Sequence, residues 1–277
     1  MPMTSDYELL DSGDAQKLER WGEFFLARPS SIAVWQKKHP ELWEKATATF
    51  SRKEQNRWEQ KNQLPESWHV KINRILFLVK PTDFGHLGVF PEHQSIWQEL
   101  AKHIKNQNQP KVLNLFAYTG GASIAAAKSG AFVCHVDASR PSIDWAKENA
   151  KLNHLASDSI RWIEDDARKF LKREAKRKNY YDGIILDPPT FGRGSKNEVF
   201  KIEEDIVALL QLCKEVLSKN PLFVAFTTHT LGFTPTVLHN LLDQVLGKGT
   251  IKESEMLIRS ISSFDLPCGY GAIWTPR

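Results

Sequence analysis

An aspartate followed by two prolines, Asp187-Pro188-Pro189-Thr190-Phe191, stands directly behind the apolar run Ile184-Ile185-Leu186. Two prolines after a buried strand stop its hydrogen-bond ladder and fix the backbone. The residue before a proline is held extended, so the Asp187 carboxylate and carbonyl have a set direction. A rigid acceptor beside an aromatic ring can hold a planar amine or the edge of a base, by hydrogen bonding and by stacking. Alone, the triplet is only a turn. At the end of a buried strand it makes Asp187, Pro188, Pro189 and Phe191 the candidate catalytic residues.

A second stretch suits ligand binding. Val112 to Phe116 is apolar, Tyr118-Thr119-Gly120-Gly121 is a glycine turn, and Ala122 to Ala127 reads as the start of a helix. Strand, turn and helix N-terminus together offer backbone N–H groups to a ligand's polar groups. Asp137 ends the next apolar strand, sixteen residues beyond Gly121. A carboxylate there can accept hydrogen bonds from both hydroxyls of a ribose; its alternative is a helix cap or a solvated strand end. The dinucleotide fingerprint GxGxxG is missing from the turn, which weakens a nicotinamide reading. Asp166 ends the third strand and can accept from an exocyclic adenine amine, with Asp165 as competitor and helix capping as the plainer role. His229, after the fifth strand, suits a general base or acceptor contact and a plain strand end equally well.

Alternating strands and helices must carry these residues. Strands are expected from Lys111, over Ala131–Asp137, Ile160–Ile163, Tyr181–Leu186 and Leu222–Thr228, with two more near Met256–Ile261 and Tyr270–Trp274. Helices are expected over about Ser95–Lys105, from Pro141 to Leu152, up to Lys178, over Lys201–Leu217 and near Thr236–Leu246. This pattern predicts an α/β fold with a largely parallel sheet covered on both faces. Residues 1–80 form a separate tryptophan-rich α+β extension, and residues 81–277 the main domain. The extension is expected to hold a strand at Trp21–Arg28, a boundary at His39-Pro40, a helix over Glu41–Gln63 and a strand or hairpin arm from Trp68 to Lys80. Its five tryptophans either pack a small domain or stack on exposed bases, and packing is the stronger reading.

The net charge of +4, with pI near 8.8, permits a polyanionic partner without demanding one. Seven basic residues, Arg168, Lys169, Lys172, Arg173, Lys176, Arg177 and Lys178, form two stripes on one predicted helix. Lys172 and Lys176 are candidates for phosphate contact; a solvated face is the alternative. Gly192-Arg193-Gly194-Ser195-Lys196 is a basic loop beside Asp187, with Arg193 and Lys196 able to reach phosphates. Three cysteines, far apart, favour neither a disulfide framework nor a zinc site, so a reducing cytoplasm is expected and no metal. The polar, acidic N-terminus is no signal peptide, and no apolar run is long enough to span a bilayer.

Five pieces in order carry a family resemblance: Gly88-Val89-Phe90 with Glu92-His93-Gln94, Asn114 to Gly121, Val136-Asp137-Ala138-Ser139, Asp165-Asp166-Ala167, and Asp187 to Phe191. Over residues 84–230 or so, the chain resembles class I S-adenosylmethionine-dependent methyltransferases and is most similar to the bacterial large-subunit (23S) rRNA methyltransferase group. The resemblance implies a Rossmann-like sheet of seven strands, the last antiparallel. It places the methionine moiety of the cofactor near Asn114, Phe116, Tyr118, Thr119 and Gly120, and the ribose at Asp137 with Ala138 and Ser139. It places adenine near Asp166, the methyl acceptor at Asp187 to Phe191, and Phe90 and Gln94 on the cofactor's outer side, with Asp187 shared between the cofactor and acceptor sites. Residues 1–70 match that group poorly and contain no segment like the RNA-binding domain often attached there. The opening YELLDSGDAQKLERWG resembles a less characterised branch, which also carries Asp-Pro-Pro-x-Phe-Gly-Arg-Gly.

Relatives that make 5-methylcytosine use a cysteine after the fifth strand, where this chain reads Phe226-Thr227-Thr228-His229-Thr230. Without that thiol, activation of C5 has no agent, whereas a ring or exocyclic nitrogen has its own lone pair. The expectation is therefore methylation of an rRNA base at nitrogen, with guanine the first guess. Three alternatives stand beside it: a methyltransferase for protein or small molecules, a nicotinamide oxidoreductase, and a non-catalytic RNA-binding module.

Overall fold

In a computed structural model of the chain, residues 5–52, 56–60, 63–193 and 198–277 are described. The chain divides into two compact units, Met1–Gln94 with Leu257–Cys268, and Ser95–Met256 with Gly269–Arg277. The break expected after residue 80 falls inside the first unit. Side chains of the N-terminal sheet hold residues 82–85 there: Arg28 Nη1 donates to Gly85 O at 2.9 Å and Trp58 Nε1 to Thr82 O at 2.8 Å. Gly85 (φ 78°) lies so close to Phe50 that a Cβ would meet its ring at 2.5 Å.

The first unit contains β1 (Tyr7–Gly13), β2 (Gln16–Trp21), β3 (Phe24–Pro29), β4 (Ala48–Ser51) and β5 (Arg57–Glu59), paired in that order, and a hairpin of β6 (Trp68–Ile72) and β7 (Ile75–Val79). The β3–β4 pairing is parallel, and the β1–β2, β2–β3, β4–β5 and β6–β7 pairings are antiparallel. Two expectations fail here. Trp21–Arg28 is not one strand, because Gly22 (φ 70°) turns the chain between β2 and β3. Glu41–Gln63 is not a helix: Pro40–Lys45 is a short 3-10 turn, followed by β4 and β5. Long-range partners override its helical composition. The Trp43 indole donates to Asp11 Oδ2 at 2.9 Å, and Phe50 packs edge-on against Trp58 at 5.3 Å. The tryptophans pack this unit, as the plainer reading held. Trp21 and Trp58 are buried, and the Trp35 and Trp68 indoles donate to the carbonyls of Ser12 and Trp21.

The second unit is built from α1 (Gln94–Ile104), β8 (Lys111–Leu115), α2 (Gly121–Lys128), β9 (Phe132–Asp137), α3 (Arg140–Leu152), β10 (Ile160–Glu164), α4 (Ala167–Arg177), β11 (Gly183–Leu186), β12 (Phe191–Arg193), β13 (Val199–Lys201), α5 (Ile202–Glu215), β14 (Phe223–Thr228), α6 (Pro235–Leu246), β15 (Gly249–Ile258) and β16 (Leu266–Pro276). By the division above, α1, β15 and β16 each have an end assigned to the first unit. Seven strands run in the order β10-β9-β8-β11-β14-β16-β15. Pairing is parallel from β10 through to β14, and β16 is antiparallel to β14. The central strands are buried on both faces, as their unbroken apolar runs require. The order turns back on itself at β8, whose neighbours are β9 and β11. In such sheets the crevice beyond the strands' C-terminal ends at this reversal is where ligands bind. The glycine turn, Asp137 and Asp187 all follow the C-terminal ends of these three adjacent strands. The two-stranded hairpin β12–β13, inserted after Asp187-Pro188-Pro189, was not expected.

Candidate active site

The glycine turn is under backbone strain. Phe116 (φ 54°), Tyr118 (φ 49°) and Gly120 (φ 88°) all lie in the left-handed region. For non-glycine residues this costs about 1–3 kcal/mol each, and it persists only where surrounding structure over-determines it. The restraints are visible. Tyr118 N donates to Asp137 Oδ2 at 2.8 Å and Ala117 N to Val136 O at 3.1 Å. The Phe116 ring packs on Phe200 of β13 at 5.3 Å. Gly120 has no alternative: besides its φ, a Cβ would touch the Ala146 Cβ of α3 at 3.0 Å. Its neighbour Gly121 opens α2, so the helix's free N–H groups follow the strained turn.

Asp137 is the hub of this side. Its second oxygen accepts from Ser139 N at 2.8 Å, and Ser139 caps α3. Burial raises the carboxyl's pKa above its usual value, while the backbone N–H groups of Ser139 and Tyr118 oppose that rise. Each oxygen keeps a lone pair beyond these bonds, so the carboxylate can still accept two hydroxyl hydrogen bonds. The residues thus fit a ribose-bearing cofactor. Asn114, expected among the cofactor contacts, is buried and donates its amide to Ser123 Oγ at 2.9 Å. Thr119 is buried, with its carbonyl accepting from Asn149 Nδ2 at 2.9 Å. Ala138 and Ser139 follow Asp137, the first half-buried and the second exposed. Asp166 caps α4, accepting from Lys169 N at 3.0 Å, and Arg168 lies 3.5 Å from its other oxygen. Phe90 and Gln94 belong to the first unit, where Phe90 packs edge-on against His86 at 5.3 Å.

On the acceptor side, Thr227 Oγ1 donates to Asp187 Oδ1 at 2.8 Å. Parallel register sets this contact: Leu186 of β11 pairs with Phe226 of β14, which places Asp187 beside Thr227. Three residues on, Thr190 Oγ1 and Thr230 Oγ1 lie 2.8 Å apart, tying the Asp-Pro-Pro loop to the segment that carries His229. Pro188 is buried, Pro189 is exposed, and the Phe191 ring is 51% exposed. Arg193 lies over that ring at 5.7 Å. His229 is exposed at the end of β14; Lys196 lies outside the described residues. The sequence offered no signal for the roles of Thr227 and Thr230, because only pairing across strands brings them to the Asp187 loop.

The basic helix divides in two. Arg168 donates to Asp205 Oδ1 at 3.0 Å and to Val199 O at 2.8 Å, fastening the β12–β13 hairpin. Lys169 pairs with Glu198, Arg173 with Asp165, and Arg177 with Glu174. Lys172 and Lys176 are exposed, one turn apart, and have no ion-pair partner among the described residues.

A seven-stranded sheet with this reversal, a strained glycine turn, a ribose-suited carboxylate and a rigid Asp-Pro-Pro loop together define a class I methyltransferase. Residues 65–236 match the S-adenosylmethionine-dependent methyltransferase family, and the chain belongs to it. It is 37% identical to an S-adenosylmethionine-dependent methyltransferase from Agrobacterium tumefaciens of known crystal structure, with a TM-score of 0.93 over 98% of this chain and 91% of that one. It is 36% identical over 155 residues to ribosomal RNA large subunit methyltransferase K/L of Syntrophotalea carbinolica, covering 55% of this chain and 21% of that protein. The same-named protein of Alteromonas mediterranea is 35% identical over 179 residues, covering 64% of this chain and 24% of that protein. The chain thus spans a quarter or less of these curated relatives. S-adenosylmethionine is the cofactor of the family, and the nicotinamide alternative gives way to it.

Proposed function

We propose that the chain methylates a base of large-subunit rRNA, at a nitrogen rather than at C5. The observation that carries this is the acceptor loop: a carboxylate oriented by Thr227, fixed by two prolines, with an exposed aromatic ring four residues on. This pairing suits a planar heterocycle whose amine or ring N–H needs an acceptor and whose face needs a stacking partner. The names of the K/L relatives support an rRNA acceptor. When bound, S-adenosylmethionine supplies an electrophilic methyl on a sulfonium sulfur. Phe116 to Gly120 would hold its methionine end, Asp137 its ribose, and the region of Asp166 its adenine. Asp187 would orient the acceptor's amine and stabilise the positive charge that develops on its nitrogen, Pro188 and Pro189 would keep that carboxylate in place, and Phe191 would hold the ring. Orientation of this kind supplies much of the rate in a direct displacement.

The nitrogen preference rests on the thiols. Both cysteines of the catalytic unit, Cys134 and Cys213, are buried, and burial pushes their thiols up to about 11 and about 12. A thiol so held is a poor nucleophile. Lys172, Lys176 and Arg193 would contact phosphates and His229 the acceptor. No helix is long and apolar enough to cross a membrane among the described residues. A cytoplasmic place beside assembling ribosomal subunits completes the proposal.

Tritium transfer from labelled S-adenosylmethionine to ribosomal subunits, free rRNA, protein and small-molecule pools tests it. Label should enter rRNA and digest to an N-methylated nucleoside. Label confined to protein or small molecules would overturn the rRNA assignment, and 5-methylcytosine would overturn the nitrogen assignment.

A further inference from the structure

Beneath the glycine turn lies a buried polar chain that the transfer reaction does not explain. Asn114 and His135 are paired neighbours on β8 and β9, and Trp162 of β10 is paired with His135 on the other side. Paired residues of adjacent parallel strands present their side chains to the same face of the sheet. On that face Ser123, in the first turn of α2, meets both polar groups: Asn114 Nδ2 donates to Ser123 Oγ at 2.9 Å, and Ser123 Oγ lies 3.0 Å from His135 Nδ1. Ser123 and His135 are wholly buried, and the Trp162 ring packs against the imidazole at 4.8 Å.

The donor inventory allows a proton order that uses both contacts. The Asn114 amide nitrogen can only donate, so Ser123 Oγ accepts from it and keeps its own hydrogen for His135 Nδ1. In that order Nδ1 is the acceptor, and the imidazole proton sits on Nε2. That atom has no hydrogen-bond partner at ideal geometry among the described residues. Burial strongly disfavours the protonated ring, and the Tyr118 backbone opposes that effect. Tyr118 is the strained centre of the turn, and Asp137 already grips its N–H. Three buried polar side chains in an otherwise apolar layer are destabilising unless fully satisfied, so their presence calls for a role.

We propose that His135 is a positioning residue for the cofactor: Asn114 and Ser123 fix it as the neutral Nε2–H tautomer, and the chain they form ties β8, β9 and the first turn of α2 together around the turn that receives the methionine end of S-adenosylmethionine. This rests on the placement of the cofactor at the glycine turn. Asp137 holds the Tyr118 N–H, and Ser123 ties Asn114 and His135 to the first turn of α2.

Nitrogen-15 spectra of the histidines in the full-length protein test the tautomer without a substitution. His135 should show a protonated Nε2 and stay neutral from about pH 8 to about pH 5, where an ordinary histidine titrates. Calorimetry with S-adenosylhomocysteine tests the role. His135→Phe and Ser123→Ala should each weaken binding about tenfold, and His135→Gln, which keeps a donor near the Nε2 position, should recover most of it. At saturating cofactor the rate of methyl transfer should change less than twofold or so, because the chain acts on binding rather than on the transfer step. A protonated Nδ1, a ring that titrates near its ordinary pKa, or unchanged affinity in a folded His135→Phe would overturn the proposal. Asp137→Ala is the control. If it also leaves affinity unchanged, the cofactor does not bind at this turn and the site assignment falls; if it abolishes binding while His135→Phe does not, only the role of His135 falls.

Discussion

Two aspartates at the ends of the parallel strands on either side of β8 are held in different ways. Asp137 accepts backbone N–H groups on both oxygens, is largely desolvated, and braces a turn with two strained aromatic residues. Asp187 accepts from the hydroxyl of Thr227, and the chain beyond it runs outward through exposed Pro189, Thr190 and Phe191 to a small hairpin. The first arrangement suits a ligand that is always the same and can be met by a preformed cradle. The second suits a large acceptor that brings its own surface and must enter and leave. Rigidity sits on the donor side, and on the acceptor side it is confined to one carboxylate and the two prolines after it.

The comparison can be broken on either side. The largest effect is expected at Asp187. Asp187→Ala should lower kcat on the order of 100-fold while S-adenosylhomocysteine affinity stays within a few-fold, as loss of acceptor orientation requires. Rapid-quench transfer assays beside calorimetry check this, and a matching loss of cofactor affinity would merge the two sites into one. Asp137→Ala should do the reverse, weakening S-adenosylhomocysteine by about 30-fold through lost charged hydrogen bonds. The wild-type protein offers a milder form of that test. Because burial raises the Asp137 pKa, its carboxylate takes up a proton at a higher pH than an ordinary aspartate. Cofactor affinity should therefore fall with acidification, starting above the usual carboxylate range near about 3.9.

Smaller effects belong to the open side. Phe191→Ala should raise the acceptor KM about tenfold, the scale of one lost base–aromatic stack, and leave thermal stability unchanged because the ring is exposed. Smallest is the double substitution Lys172→Glu with Lys176→Glu. It should weaken RNA binding several-fold at physiological salt and reduce the salt dependence by about two counterions, as filter binding across a salt series would show. Arg168→Ala is the informative contrast. It should lower the melting temperature, because Arg168 is spent on Asp205 and the Val199 carbonyl. If the Lys172, Lys176 and Arg168 substitutions proved indistinguishable, the division of the basic helix would be wrong.

Where a feature depends on local chemistry, the amino-acid sequence reached it. The parallel sheet, the strand-end positions of Asp137 and Asp187 and the N-terminal turns of α3 and α4 all follow from apolar runs, prolines and glycines near the residues concerned, while the antiparallel last strand came only from the family resemblance. Where a role depends on residues far apart in the chain, the sequence was silent or misleading. Glu41 to Gln63 has helical composition, yet Asp11 and Thr82 draw its tryptophans into a β-rich unit. Seven basic residues read as one surface, yet Asp165, Glu174, Glu198 and Asp205 take four of them out of play. Family resemblance alone places Asn114 among the cofactor contacts, and only packing reveals that its amide nitrogen donates to Ser123. Side-chain type and spacing determined what chemistry this chain can do. Pairing register and packing alone decided which polar groups remain free to do it, because a hydrogen bond or an ion pair depends on distance in space rather than in sequence.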